Sequence, residues 1–188
     1  NELTGRFKFQ AIYFDDDTFN IGNKHTENIS KVVGKYNIPW FAMCRADTCR
    51  KETWKTMQDN GCKGVKIGIE SGSQYVVDKI VNKHLDLNYT KNLVSYLRDL
   101  GMSVHGTFTY GLPGENKEQM LETKKFIKNT NFSTVQESGT AEIEGTPLHT
   151  LNSKTLENYP GASLNEEYDR QKDGGKKWQT LVKELQEH

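Results

Sequence analysis

The sequence predicts an α/β fold built around a parallel sheet. Short runs of apolar and β-branched residues alternate with segments whose apolar residues recur at helical spacing, the pattern of consecutive βα units. Two strand-like runs end in polar and turn-forming residues, within VKIGIES (65–71) and YGLPGE (110–115). Because parallel sheets of this kind carry their chemistry at the carboxyl ends of the strands, these two segments favour an enzyme with a bound cofactor.

Five strands are predicted from short runs that contain aromatic or β-branched residues and are followed by polar or turn-forming residues. The first stops at the three aspartates of FDDDTF, and the last precedes the turn EGTP. In chain order, the predicted strands are 7–14, 40–44, 64–69, 103–110 and 133–143.

Helices are predicted between the strands, mostly from apolar residues at i, i+3, i+4 and i+7. A short helix marked by Trp54 and Met57 ends at Asn60 and Gly61, where glycine can supply the left-handed conformation on which helices often end. The other helices are predicted at 73–81, at 116–128, and around three stripes: Ile29, Val32, Val33 and Tyr36; Leu93, Tyr96, Leu97 and Leu100; and Trp178, Leu181, Val182 and Leu185.

These elements predict one barrel domain followed by a short extension. A complete barrel of eight βα units needs about 250 residues. This chain has 188 residues and five predicted strands. We therefore expect residues 1–150 to form a partial TIM-type (β/α) barrel that is incomplete at its N-terminus. Residues 151–188 are expected to form a polar extension that contains the last amphipathic helix.

The composition argues against several classes of protein. The 25 basic and 25 acidic residues balance, so a nucleic-acid partner is not expected. No apolar run approaches the roughly 20 residues that cross a bilayer, so no membrane association is expected. Three cysteines at irregular spacings indicate a reducing, cytoplasmic compartment. The five histidines lie far apart and predict no metal site.

Five motifs follow one another in an order typical of one enzyme family. In chain order they are FDDDTF, R-x-D, GxKIGIESGS, GTFTYGLPGE and EGTPL, and the similarity covers residues 7–149. Together they resemble the radical S-adenosylmethionine (SAM) superfamily, most closely the branch that often carries an N-terminal cobalamin-binding domain. The resemblance implies an enzyme that binds SAM beside a [4Fe-4S] cluster and generates a 5′-deoxyadenosyl radical or transfers a methyl group. It also implies an electron donor such as flavodoxin or ferredoxin, and cobalamin where the upstream domain is present.

One motif of that family is missing from this sequence. The family binds its cluster through Cys-x-x-x-Cys-x-x-Cys in the loop after the first barrel strand, and the chain contains no such triad. We therefore expect the cluster ligands to lie upstream of Asn1, and we expect the chain to be inactive alone. Cys44, Cys49 and Cys62 are interpreted as structural thiols, and no metal ligand is predicted in the chain.

The resemblance also indicates residues for a SAM site. Glu70 matches the family's cofactor-binding glutamate and can accept hydrogen bonds from ribose hydroxyls or the methionine ammonium group. Ser71 could bond to the same cofactor or cap the helix that follows it. By resemblance, Asp16, with Asp17 as the next choice, matches the position near the methionine ammonium group, although an acidic cluster after a strand could also consist of solvated turn residues.

Two further features complete the predicted site. Arg45 can pair with the methionine carboxylate or with substrate, or it can form an ion pair with Asp47. Gly111, Pro113 and Gly114 would let the backbone approach the adenine closely, although the same residues also suit a plain turn. No catalytic residue is predicted, because the motifs do not indicate the substrate.

Two other functions stay open at this stage. FDDDTF partly matches the D-x-D-x-T strand of Mg²⁺-dependent phosphotransferases, but Phe19 stands where the threonine would fall. A barrel without a cluster could also be a non-catalytic scaffold or interaction module. Within the radical SAM interpretation, the substrate and the type of reaction remain undetermined.

Overall fold

A computed structural model of the chain describes residues 5–140, which contain five strands with helices between them. The strands lie in the sheet in chain order, β1-β2-β3-β4-β5. This order is typical of (β/α) barrels, whereas doubly wound sheets reverse direction near their middle. The strands are β1 (Ile12–Phe14), β2 (Trp40–Cys44), β3 (Cys62–Glu70), β4 (Ser103–Tyr110) and β5 (Thr134–Gly139).

The strands are parallel, as predicted. Tyr13 of β1 lies opposite Phe41 of β2 in a parallel register, and β2 continues parallel to β3. Along β4 and β5, the Ser133 amide donates to the Val104 carbonyl and the Thr140 amide donates to the Tyr110 carbonyl, both at 2.8 Å. Because both residue numbers rise together, these two strands also run in the same direction.

Four α-helices connect the strands, and side-chain caps explain where two of them begin. Asn116 and Gln119 form a capping box at the start of the fourth helix, and the Asp86 side chain caps the third by accepting from the Tyr89 amide. The helices are α1 (Asn23–Gly34), α2 (Lys51–Asp59), α3 (Leu87–Asp99) and α4 (Lys117–Lys128), with a π-helical turn at Val76–Ile80 between β3 and α3.

The described residues divide into two compact units, each with its own buried side chains. The first unit comprises 5–68, 86–106 and 130–135, and the second comprises 69–85, 107–129 and 136–140. Buried side chains of the first unit include Trp40, Trp54, Met57, Leu93 and Leu97, and those of the second include Ile69, Val76, Val77, Phe108 and Met120.

Strands β2 and β4 have the predicted bounds, but β1 is much shorter than the predicted 7–14. Phe7 and Phe9 contact each other with ring centroids 6.0 Å apart, and Phe7 is 57% exposed. Aromatic residues favour strands only where a pleated surface packs against them, and these two rings are largely in solvent.

The buried face of α1 also differs from the predicted stripe. Val32 is 53% exposed, whereas Thr26 and Ser30 are buried beside Val33. The hydroxyls of Thr26 and Ser30 donate to the backbone carbonyls of Gly22 and Thr26, at 2.9 and 2.7 Å. Because these bonds satisfy the hydroxyls inside the helix, polar residues can occupy its buried face.

The predicted helix 73–81 is present: residues 74–80 are helical and include a π-helical turn at Val76–Ile80. Strand β3 is longer than the predicted 64–69, and β5 covers Thr134–Gly139 of the predicted 133–143. Residues 141–143 lie outside the described residues. The EGTP turn, the extension 151–188 and its predicted helix lie outside the described residues. In residues 5–140, no helix is long and apolar enough to cross a membrane.

Candidate functional site

In the first unit, the predicted aspartates lie in an exposed loop directly after β1. Asp15, Asp16 and Asp17 are all exposed. The loop returns to the sheet at Phe19, whose amide donates to the Met43 carbonyl at 2.9 Å. Asp16 and Asp17 are therefore anchored at a strand end, with their carboxylates open to solvent.

Arg45 follows β2 in the same unit and pairs with Asp47. Its Nε and Nη2 atoms donate to the two carboxylate oxygens at 3.0 and 2.8 Å, and each side chain is 33% exposed. The hydrogen bond to Asp47 raises the pKa of the Arg45 guanidinium above its ordinary value. The buried Asn20 side chain bonds to both the amide and the carbonyl of Arg45, which holds the strand end in place. Of the two partners that the sequence allowed for Arg45, the structure therefore shows Asp47. A SAM carboxylate that bound to Arg45 would have to share the guanidinium with Asp47 or displace it.

The three cysteines of the first unit are buried free thiols, as the sequence predicted. Burial raises the pKa of Cys44 well above its ordinary value and the pKa of Cys62 to about 12. Burial therefore favours the protonated form of both thiols in the metal-free protein. Among residues 5–140, no group of three His, Cys, Asp or Glu side chains is placed to hold a metal ion, so these residues do not form a site for the cluster.

In the second unit, Glu70 ends β3 with an unusual backbone conformation. Its φ is 72°, in the left-handed region that non-glycine residues seldom adopt. Its Oε1 lies 3.0 Å from Lys83 Nζ, and its Oε2 accepts a hydrogen bond from the Thr109 hydroxyl at 3.4 Å. Such conformations cost roughly 1 kcal/mol and are concentrated at functional sites, where they aim a side chain.

Lys83 is a candidate that no sequence motif indicated. Its side chain is 15% exposed and that of Glu70 is 29% exposed, so the pair is largely withdrawn from water. The Lys83 amide donates to the Val77 carbonyl at 2.9 Å, which ties the segment to the π-helical turn. A lysine in a polar stretch looks like an ordinary surface residue, so only the tertiary contact identifies it.

Ser71 is buried and bonded to the protein itself. Its Oγ lies 3.0 Å from Thr123 Oγ1 on α4 and accepts a hydrogen bond from the Ser73 amide at 3.1 Å. The Gly72 amide donates to the same Thr123 oxygen at 2.8 Å. Ser71 therefore shapes the turn after Glu70 and links it to α4.

The second predicted loop, residues 111–114, is shaped by Glu115. Gly111 and Gly114 have φ values of 75° and 91°, which glycine adopts without strain, and Pro113 lies between them. The buried Glu115 Oε2 accepts from the amides of Gly111 and Leu112 at 2.8 and 3.2 Å. Burial raises the pKa of Glu115 to about 7, although these two backbone hydrogen bonds lower it. Glu115 belongs to the YGLPGE motif, but the motif by itself did not reveal that its side chain turns back onto the loop.

The family of the chain follows from its match to known proteins. The model of the radical SAM superfamily matches residues 7–127, which is more than half of the chain. The chain belongs to the radical SAM superfamily. This membership confirms the family that the five motifs indicated.

Two relatives of this radical SAM chain are methyl- and methylthiotransferases. Cytidylyl-2-hydroxyethylphosphonate methyltransferase of Streptomyces wedmorensis is 28% identical over 157 residues, covering 78% of this chain and 29% of the relative. Ribosomal protein uS12 methylthiotransferase RimO of Phocaeicola vulgatus is 27% identical over 146 residues, covering 73% of this chain and 33% of the relative. The chain thus spans about a third of the length of these relatives.

A solved structure supports the barrel. The radical SAM methyltransferase TsrM from Kitasatospora setae, solved with cobalamin and a [4Fe-4S] cluster bound, matches with a TM-score of 0.64 and 15% identity. The match covers 71% of this chain and 28% of TsrM. At this identity the similarity concerns the fold alone, and it confirms the α/β class and the partial TIM-type barrel.

Proposed function

We propose that this chain provides part of the SAM-binding site of a radical SAM enzyme, with Glu70 and Lys83 holding the amino-acid end of SAM. The observation that carries the proposal is their ion pair at the end of β3, which is still partly open to solvent. The methionine part of SAM is a zwitterion, with an ammonium group and a carboxylate on one carbon. A carboxylate and an ammonium group held 3.0 Å apart offer the complementary charges.

The loop 111–114 suits the adenine end. Gly111 and Gly114 lack side chains, so their backbone can approach a flat ring closely. Glu115 shapes this loop by accepting hydrogen bonds from the Gly111 and Leu112 amides. Asp16, Asp17 and Arg45 stay predicted contributors to SAM or substrate binding from the ends of β1 and β2.

The described residues would bind and orient SAM. A [4Fe-4S] cluster held outside them would supply the electron chemistry by which SAM gives a 5′-deoxyadenosyl radical or a methyl group. By similarity to the relatives, we propose methyl or methylthio transfer for the whole protein. We also propose cobalamin as an additional cofactor, a donor such as flavodoxin or ferredoxin, and action in the cytoplasm.

Equilibrium binding of SAM tests this proposal. The protein from the complete reading frame should be prepared anaerobically with iron and sulfide, and its SAM affinity measured by calorimetry. Each charged hydrogen bond contributes about 1.5–3 kcal/mol, so Glu70→Gln and Lys83→Met should each weaken binding at least about tenfold. Lys55→Met is the matched control, because it breaks the exposed ion pair with Asp59 on α2.

Two results would contradict the proposal. Unchanged affinity in both Glu70→Gln and Lys83→Met would remove the pair from the site. Failure of the unsubstituted protein to bind SAM, with an intact cluster, would favour the non-catalytic scaffold.

A further inference from the structure

We propose that Thr123 on α4 is a positioning residue that holds Glu70 in its left-handed conformation and so orders the SAM site before SAM binds. The inference rests on the proposed function for the role of Glu70. Thr123 is fully buried and acts through the turn that follows Glu70, without touching the ligand.

The left-handed conformation of Glu70 needs an external cause. A glutamate at a φ of 72° is strained, and such residues persist only where the surrounding structure holds them. The ion pair with Lys83 fixes only the carboxylate end of the flexible Glu70 side chain. That carboxylate could reach Lys83 from several conformations of the Glu70 backbone, so the ion pair does not explain the left-handed one. The hydrogen bonds of the next three residues constrain the backbone directly.

Those hydrogen bonds converge on one hydroxyl. Thr123 Oγ1 donates to the Gln119 carbonyl at 3.2 Å, so its single hydrogen is used within α4. Its two lone pairs then accept from the Gly72 amide at 2.8 Å and from the Ser71 hydroxyl at 3.0 Å. Ser71 Oγ in turn accepts from the Ser73 amide at 3.1 Å. Every donor and acceptor site of the Thr123 hydroxyl is therefore filled.

The packing at Gly72 brings the turn close enough for these bonds. A Cβ atom at Gly72 would lie 2.5 Å from Phe126 Cβ and 2.7 Å from Thr123 Cα, closer than real Cβ contacts. The turn therefore runs directly against α4. Without the Thr123 hydroxyl, the half-buried Gly72 amide would lose its acceptor, and the backbone could leave the strained conformation that aims Glu70.

Thr123→Val tests the inference, because it removes the hydroxyl and keeps the shape of the side chain. Two quantities should be measured in the protein from the complete reading frame: amide hydrogen exchange of residues 71–73 without SAM, and SAM affinity. We expect exchange at Gly72 and Ser73 to become at least about tenfold faster and SAM affinity to fall about tenfold. Thr123→Ser, which keeps the hydroxyl, should restore both.

Thr90→Val is the matched control. Thr90 is a fully buried threonine on α3 whose hydroxyl donates to the Asp86 carbonyl at 2.7 Å, four residues earlier, as Thr123 does within α4. The Thr90→Val variant should lower stability by an amount similar to Thr123→Val and leave amide exchange at 71–73 and SAM affinity unchanged.

Ser71→Ala is a second, milder variant. It should speed exchange of the Ser73 amide and weaken SAM binding less than Thr123→Val does.

The two readouts separate the two proposals. If amide exchange of residues 71–73 is as slow in the Thr123→Val variant as in the Thr90→Val variant, the positioning role of Thr123 is wrong, whatever the SAM affinity. Faster exchange with unchanged SAM affinity would also overturn it. If the unsubstituted protein does not bind SAM, the proposed function fails, and the positioning of Glu70 is still decided by exchange.

Discussion

Glu70 and Lys83 form a 3.0 Å ion pair at the carboxyl end of β3, and both side chains are largely withdrawn from water. The pair joins the last residue of a strand to a residue that follows a π-helical turn. We propose this pair as the site for the methionine end of SAM, because its two opposite charges complement the ammonium group and the carboxylate of that ligand.

The strain at Glu70 predicts an unusual order of stability among its variants. Glu70→Ala and Glu70→Gly both remove the ion pair, but only glycine adopts a φ of 72° without strain. We expect the free energy of unfolding of the glycine variant to be about 1 kcal/mol higher than that of the alanine variant. Urea denaturation of both proteins checks this. Equal stabilities would show that the turn relaxes when the side chain is lost.

Close packing at Gly72 predicts that alanine is poorly tolerated there. The added Cβ would meet Phe126 Cβ and the Thr123 backbone, so the turn would have to move away from α4. Overpacking of this kind costs about 1–3 kcal/mol, and we expect SAM affinity to fall as well. Gly5→Ala is the control, because a Cβ there meets no atom within 4 Å. Similar denaturation midpoints for the two variants would contradict the prediction.

The buried carboxyl of Glu115 predicts a dependence of stability on pH. Burial raises the pKa of Glu115 to about 7, above the 4.5 of an exposed glutamate. The folded state therefore keeps a proton that the unfolded chain releases between pH 4.5 and 7. The stabilisation from this group is complete below pH 4.5 and is lost as the pH rises through 7, a change of about 3 kcal/mol.

Glu115→Gln isolates this effect, because the amide does not titrate and can still accept from the Gly111 and Leu112 amides. We expect the variant to gain stability relative to the unsubstituted protein between pH 5 and pH 8. Urea denaturation at both pH values measures the difference, with Glu118→Gln, at an exposed position of α4, as the control. A pH-independent difference would show that Glu115 does not titrate in this range.

Local patterns predicted β2, β4, α2 and α4 closely, because their signals lie within a few residues. The glycine after α2, Gly61, is an example. The predictions for β1 and for the buried face of α1 were wrong because these features depend on distant parts of the chain and not on local signals. Whether Phe7 packs against the sheet, or Thr26 replaces Val32 on a buried face, depends on neighbours that are distant in sequence.

The sequence by itself determined the α/β class, the order of the βα units and the family, since periodicity and motif order are properties of the chain. It also indicated Glu70 and the Gly111 to Gly114 turn. Only the tertiary structure decided that Lys83 pairs with Glu70, that Glu115 folds back onto its own loop, and that Thr123 holds the turn after β3. The Thr123 contact joins residues 52 positions apart, and no local pattern encodes which distant side chains will meet when the chain packs.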